Sequence, residues 1–244
     1  MDLILDLGNT NKKFALFKNG KLIAQKRYPH FNLDLMREFT QTHPGIERCI
    51  LSSVIPYSRA ICHFLERKFR FLELDEHTPL PIINRYRSKD TLGKDRLASA
   101  VAAARRFPSK DILVIIAGTC ITYNFINSKS EFLGGSISPG IRMRLEAMHT
   151  FTGKLPLLSL KKTGILIGSN TAQSMLSGVL NGVGAEMEGI TGRYKEKFPG
   201  LIPILSGGDL NYFDKRLKIS IFAFPNIVIH GLYQILEFND PQAS

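Results

Sequence analysis

The sequence predicts an α/β protein of two similar lobes, and three observations predict it. Apolar, strand-length runs alternate with helical stretches along the whole chain. A strand-turn-strand unit beginning at Leu3 is repeated at Leu113. The chain has 244 residues, 44% of them apolar and 22% charged, which is enough for one large core or two compact ones.

The elements follow in order. Residues 2–7, 12–18 and 21–28 read as a β-meander, with Asn19-Gly20 as a two-residue hairpin turn. Leu33 to Thr42 reads as a helix. Residues 49–55 form a short buried strand closed by Pro56, followed by a helix over 57–68 and a strand over 70–74. Thr78 to Leu92, with Pro79, Pro81 and Tyr86, reads as an exposed loop. Asp95 to Arg106 is an Ala-rich helix ending before Pro108. A second cycle then opens with strands at 112–117, 121–127 and 131–133, a loop over 134–140 and a helix from 141. Segment 153–163 is a loop, helices fall at 170–187 and 188–198, a strand at 202–206 and a last helix at 226–238. The pattern divides the chain into lobes of residues 1–108 and 109–244.

The repeated unit carries the chemistry. Its first copy is Leu3-Ile4-Leu5-Asp6-Leu7-Gly8-Asn9-Thr10, its second Leu113-Val114-Ile115-Ile116-Ala117-Gly118-Thr119-Cys120. Gly8 falls on Gly118, and Asp6 falls on Ile116. Each copy is a buried strand, a tight Gly turn with hydroxyl or amide groups, and a second strand. Such turns aim backbone N–H groups at anions, and an Asp at the mouth can hold Mg²⁺ riding on phosphate. Two of them facing each other would clamp a nucleotide's phosphates. Lys13 is placed to neutralise a transferred phosphoryl group.

Three further segments are candidates. Gly93-Lys94-Asp95-Arg96 stands where a loop enters a helix, and Asp95 suits the first turn. Arg96 has the planar fork that matches a carboxylate ligand, and Tyr86 lies in the loop just before it. Gly134-Gly135-Ser136-Ile137-Ser138-Pro139-Gly140 is a hydroxyl-bearing loop. Ser206-Gly207-Gly208-Asp209 follows an apolar strand.

Bulk properties exclude several classes. No apolar run approaches the ~20 residues that cross a bilayer, and nothing at Met1-Asp2 reads as a signal peptide. The cysteines form no close pairs, which argues against a metal knuckle or a disulfide framework and for a reducing cytoplasm. Histidines are scattered, with no H-x-x-x-H spacing. The 32 basic and 21 acidic residues give a net charge of +11. The basic residues are dispersed in pairs such as Lys12-Lys13, Arg105-Arg106, Lys161-Lys162 and Lys215-Arg216, which reads as solvated surface and not as a nucleic-acid stripe.

In their order and spacing these motifs resemble those of the type III pantothenate kinases, within the superfamily of sugar kinases, actin and heat-shock chaperone ATPases. The likeness runs over nearly the whole chain, and includes Ser52-Ser53-Val54-Ile55-Pro56, Gly168-Ser169-Asn170-Thr171, Ser177-Gly178 and the segment 225–232. It implies two ribonuclease H-like lobes with a nucleotide cleft between them. It also implies ATP-dependent phosphorylation of pantothenate, the first step towards coenzyme A. Mg²⁺, a monovalent cation (K⁺ or NH₄⁺) and a homodimer come with it. In the family's terms Asp6 would hold metal and phosphates. Gly8, Asn9, Thr10, Lys13, Gly118, Thr119, Cys120, Gly207 and Gly208 would hold ATP. Tyr86, Gly93, Lys94, Asp95 and Arg96 would hold pantothenate, Arg96 pairing with its carboxylate. Thr171 would reach the neighbouring subunit's pantothenate.

At one position the chain departs from the family. The family's second turn opens with an Asp taken to be the general base for the substrate hydroxyl; here it is Ile116, and a further family Asp is Asn124. Catalysis is then expected to rest on Asp6 or Asp95. The alternative expectation is a ligand-binding or regulatory relative without turnover.

Overall fold

The strand-length apolar runs of the N-terminal half fold into one sheet in the computed structural model, which describes residues 1–161, 164–213 and 217–240. Strand β1 (Asp2–Leu7) is buried at every position, as its apolar core requires when both sheet faces are covered, and its two aspartates, Asp2 and Asp6, are ion-paired. β2 (Lys12–Lys18) and β3 (Lys21–Tyr28) continue the antiparallel meander. Asn19 and Gly20 both have positive φ, 50° and 75°, so the hairpin turns in the hand that matches strand twist. Helix α1 (Leu33–Thr42) starts at Asn32, whose side chain accepts from the Leu35 N–H at 2.9 Å. Strand β4 (Arg48–Ser53) returns parallel to β1, helix α2 (Arg59–Lys68) follows, and β5 (Arg70–Glu73) pairs parallel with β4. The strand order is β3-β2-β1-β4-β5. A two-residue strand β6 (Ile83–Asn84) and helix α3 (Lys94–Arg106) come next.

The second half repeats the plan. β7 (Ile112–Ala117), β8 (Cys120–Ile126) and β9 (Glu131–Pro139) form an antiparallel meander. Helices α4 (Ile141–Thr150) and α5 (Thr171–Lys197) precede β10 (Ile202–Ser206), which pairs parallel with β7. Helix α6 (Leu210–Phe213) and strand β11 (Phe222–Ala223) complete the cycle, with β11 parallel to β10. The order β11-β10-β7-β8-β9 within this unit reproduces β5-β4-β1-β2-β3 strand for strand and direction for direction.

The compact units are Met1–Arg106 with the C-terminal stretch from Asn226, and Phe107–Pro225. Helix α7 (Ile227–Phe238), counted in the 109–244 half by the sequence reading, therefore packs with the first unit. Gly231 makes this possible, because a Cβ there would lie 1.8 Å from the Ala98 carbonyl oxygen of α3. Just beyond α7, Asp240 accepts from Arg48 at 2.5 Å, and the same guanidinium donates to Asp2 at 2.6 and 2.8 Å.

Three expectations about elements are corrected. Residues 134–139 are strand, not loop, and belong to β9. Gly134 and Gly135 have φ of 105° and 149°, and a Cβ on Gly135 would lie 1.8 Å from the Tyr123 carbonyl oxygen. Gly134 and Gly135 pair in register with Phe125 and Asn124, the bulge falls beside them at Leu133, and the glycines let β9 cross close to β8. The two helices at 170–187 and 188–198 are one 27-residue helix. Its five interior glycines from Gly178 to Gly192 lower helix propensity, but Leu176, Val179, Leu180, Val183 and Met187 form one continuous buried stripe that carries it through. The 78–92 loop is not uniformly exposed, since Thr78, Ile82 and Leu92 are buried. Elements β6, α6 and β11 were not foreseen. Residues 162–163 of the 153–163 loop, Lys162 of the Lys161-Lys162 pair, and the Lys215-Arg216 pair lie outside the described residues.

Candidate active site

In the first unit, the turn after β1 comprises the exposed residues Asn9, Thr10 and Asn11 behind half-buried Gly8. The Gly8 N–H donates to the Asn11 carbonyl at 3.0 Å and closes the turn. Asp6 is buried just inside it. Strand pairing sets its neighbours: Lys13 stands opposite on β2, and Ser52 opposite on β4. The Lys13 ammonium reaches Asp6 Oδ2 at 3.0 Å, and the Lys12 ammonium donates to the Asn9 carbonyl at 3.1 Å.

Asp95 lies in the first turn of α3, where its Oδ1 accepts from the Arg96 N–H at 2.9 Å. Gly93 leaves room for that carboxylate, since a Cβ there would come within 2.7 Å of Asp95 Oδ1. Burial pushes the Asp95 carboxyl above its ordinary range, and the Asp6 carboxylate pushes it further; the Arg96 N–H bond and charge pull the other way. Asp6 and Asp95 therefore belong to one electrostatic group. Arg96 is buried behind them, its Cζ 5.4 Å from the centroid of the Tyr86 ring. Lys94 turns elsewhere, its ammonium 3.9 Å from Glu76. The first unit thus brings together Asp6, Lys13, Gly93, Asp95, Arg96 and Tyr86.

The second unit builds its turn from backbone. The Gly118 N–H donates to the Cys120 carbonyl at 3.0 Å. Pairing of Leu7 with Lys12 leaves four residues in the first turn, whereas pairing of Ala117 with Ile121 leaves three in the second. The gapless alignment of the two copies therefore holds through Gly118 and slips by one residue beyond it. Gly140 and Gly207 press on this turn from two sides. A Cβ on Gly140 would lie 2.1 Å from the Gly118 oxygen, and one on Gly207, at φ 105°, would lie 2.1 Å from the Ala117 oxygen. The Gly140 N–H donates to the Thr119 carbonyl, and the Asp209 N–H to the Ala117 carbonyl, each at 3.1 Å.

Ile116 occupies the position of Asp6. It is the half-exposed member of an otherwise buried β7, with Thr122 opposite on β8 and Ser206 opposite on β10. The buried Asn124 donates to Thr122 Oγ1 at 3.0 Å. Asp6, Lys13 and Ser52 in one unit thus correspond to Ile116, Thr122 and Ser206 in the other. Cys120 is half-buried, Thr119, Gly207 and Gly208 are exposed, and Thr171 is exposed at the start of α5. Asp209 was not singled out as a site residue. It is half-buried beside the second turn, its carboxyl raised by burial and drawn back by Arg142.

Asp6 offers a carboxylate of the kind Mg²⁺ takes, with Lys13 3.0 Å from its Oδ2. That ion binds through one or two carboxylates plus substrate phosphates in preference to an all-protein cage. Among the described residues no group of three or more His, Cys, Asp or Glu could enclose a metal.

Comparison with known proteins shows the family. The type III pantothenate kinase family model matches residues 2–193. A type III pantothenate kinase of Phocaeicola vulgatus is 42% identical over 98% of this chain and 99% of its own. That of Christiangramia forsetii is 40% identical over 99% and 100%. The glucokinase of an Antarctic psychrotroph superposes with a TM-score of 0.53 at 13% identity, covering 98% of this chain and 99% of its own, a likeness of fold. The duplicated sheets, the Asp6 turn and the Asp95–Arg96 group are thus those of a chain that belongs to the type III pantothenate kinase family.

Proposed function

We propose that this chain transfers the γ-phosphoryl group of ATP to the primary hydroxyl of pantothenate, giving 4′-phosphopantothenate at the entry to coenzyme A biosynthesis. The observation that carries the reading is the buried Asp95 carboxyl, raised by burial and by Asp6, at the N-terminus of a helix that also presents Arg96. A carboxylate of raised pKa is matched to taking a proton from a hydroxyl nucleophile. Asp95 accepts that proton at one of its carboxylate oxygens as the oxygen–phosphorus bond forms. Arg96, stacked on Tyr86, pairs with the carboxylate of pantothenate and fixes which end of the substrate reaches Asp95. Asp6 and the first turn orient the phosphates, with Lys13 compensating charge. Mg²⁺ bound at Asp6 would supply further neutralisation of charge on the phosphates.

On this reading Ile116 removes a carboxylate from the second turn and leaves the base in place, since the base is Asp95. Lys94 and Thr171 have supporting roles at most, one beside Glu76 and one exposed at the start of α5. We assign the second turn, with Thr119 and Cys120, and Gly207-Gly208 to the nucleotide. A homodimer is supported by the exposed apolar side chains Met143, Phe151, Leu157, Leu166 and Ile167 in the second unit. A cytoplasmic location is supported by the three free cysteines Cys49, Cys62 and Cys120. Among the described residues no helix is long and apolar enough to cross a membrane.

The test is an ADP-release assay with Mg²⁺-ATP and pantothenate, with the product identified by mass. Formation of phosphopantothenate by the native chain and its loss in Asp95→Asn is the expected result. No product from the native chain at any Mg²⁺ concentration would remove the activity.

A further inference from the structure

The internal duplication locates where a second cation would have to bind. If Asp6 holds the divalent ion in the first unit, the equivalent place in the second is Ile116, at the end of the equivalent strand, with the equivalent serine beside it. A hard cation needs several oxygen ligands there. Ile116 supplies none. Asn124 donates its amide to Thr122 Oγ1, so the hydroxyl nearest in register already accepts a hydrogen bond.

Three main-chain oxygens of the turn each already accept one of the two hydrogen bonds they can take. The Ala117 carbonyl accepts from Asp209, the Thr119 carbonyl from Gly140, and the Cys120 carbonyl from Gly118. The Gly118 carbonyl is covered by Gly140, so closely that a Cβ there would approach to 2.1 Å. In the first turn two ammonium groups lie against the oxygens, Lys13 beside one oxygen of Asp6 and Lys12 on the Asn9 carbonyl. The monovalent cation that the family resemblance implies does not fit the second turn of this chain.

We propose that this chain works without a monovalent cation: its second phosphate turn is an uncharged backbone site, and its fixed positive charge comes from Lys12 and Lys13. The inference rests on the kinase reading for its kinetic consequence, and on geometry alone for its binding consequence. No step of the transfer passes through K⁺ or NH₄⁺.

The experiment measures two things on the native protein at constant ionic strength, in chloride salts of K⁺, NH₄⁺, Na⁺ and choline. One is the rate of phosphopantothenate formation, the other the thermal midpoint with and without a non-hydrolysable ATP analogue and Mg²⁺. The expected rates agree within about twofold, the scale of non-specific screening, and the midpoints do not distinguish K⁺ from choline. A saturable gain of about fivefold or more in K⁺ or NH₄⁺, the lower end of ordinary ligand coupling, overturns the proposal. So does a midpoint that rises with K⁺ and not with choline. Absence of product in every salt would instead refute the kinase reading, while the midpoints still decide the cation question. In Ile116→Asp, which restores a carboxylate between two hydroxyl-bearing neighbours, a K⁺-specific midpoint shift absent from the native chain is the expected result. The same shift in both proteins would overturn the proposal.

Discussion

Lys13 donates to Asp6 at 3.0 Å across the β1–β2 pair, and the register-equivalent pair in the second unit is Thr122 with Ile116. One ion pair in a duplicated scaffold has become one neutral pair. The second unit has neither the acid nor the cation at these two positions. A lone Asp at 116 facing a lysine at 122 would be a charged pair; a lone lysine facing Ile116 would be an uncompensated, half-buried charge. The chain avoids both.

Asp6→Asn keeps the shape of the turn and removes its charge, leaving Lys13 without its carboxylate. Mg²⁺-dependent binding of an ATP analogue is expected to weaken, and kcat/KM for ATP to fall by about 10²-fold or more, as for loss of one preorganised electrostatic group. Calorimetry with Mg²⁺ and then with EDTA checks this; an unchanged Mg²⁺ dependence would exclude Asp6 as the metal ligand.

Asp95→Asn separates activity from stability. Loss of a general base costs about 10²–10⁴-fold in rate, while Asn can still accept the Arg96 N–H bond. The Asp95 carboxyl is raised in the folded protein above its unfolded value, so its charged form is disfavoured by folding. It costs nothing below the unfolded pKa near 3.8, and that cost is fully present once pH exceeds the raised folded value. The thermal midpoint of Asp95→Asn is therefore expected to equal or exceed that of the native chain at neutral pH and to converge with it in acid. The acid limb of the native pH–rate profile should fall above 3.8, as Asp95 takes up a proton.

Arg96→Lys keeps the charge and loses the planar fork stacked on Tyr86. KM for pantothenate is expected to rise about tenfold to 10²-fold, the worth of a hydrogen bond to a charged group, with KM for ATP changed much less. Equal effects on both substrates in initial-rate kinetics would refute the assignment of Arg96 to the pantothenate carboxylate.

Gly140→Ala leaves an allowed backbone, since φ at Gly140 is −71°. Its Cβ nevertheless collides with the Gly118 and Thr119 oxygens at 2.1 and 2.5 Å. The second turn has to move. A stability loss of about 1–3 kcal/mol is expected from overpacking, with a rise in KM for ATP and little change in KM for pantothenate. Denaturant melts and a KM comparison check it.

Glu substitutions at Leu166 and Ile167, 76% and 85% exposed, are expected to leave the monomer folded and to convert a dimer to monomers. Sedimentation is the readout, and a dimer that survives both changes would place the interface elsewhere.

Much of this was written in the sequence. The apolar cores Leu3–Leu5 and Leu113–Ile115 fixed β1 and β7, because strands covered on both faces are predominantly apolar. Apart from Tyr86, the residues of the first-unit site fall in two short local segments, Asp6 to Lys13 in one hairpin and Gly93 to Arg96 at one helix start. Tertiary structure decided what local patterns could not. Gly134-Gly135 has the composition of a loop, yet it is paired strand, because only the approach of β8 shows why side chains are excluded there. The glycines of α5 break helix propensity but not the helix, because a buried stripe outweighs them. Helix α7 follows the second unit in sequence and packs in the first, because Gly231 and Ala98 meet only in three dimensions. The raised Asp95 carboxyl is likewise a tertiary fact. Its residue type was legible, but the burial and the neighbouring Asp6 that raise its pKa come from packing β1 and α3 together.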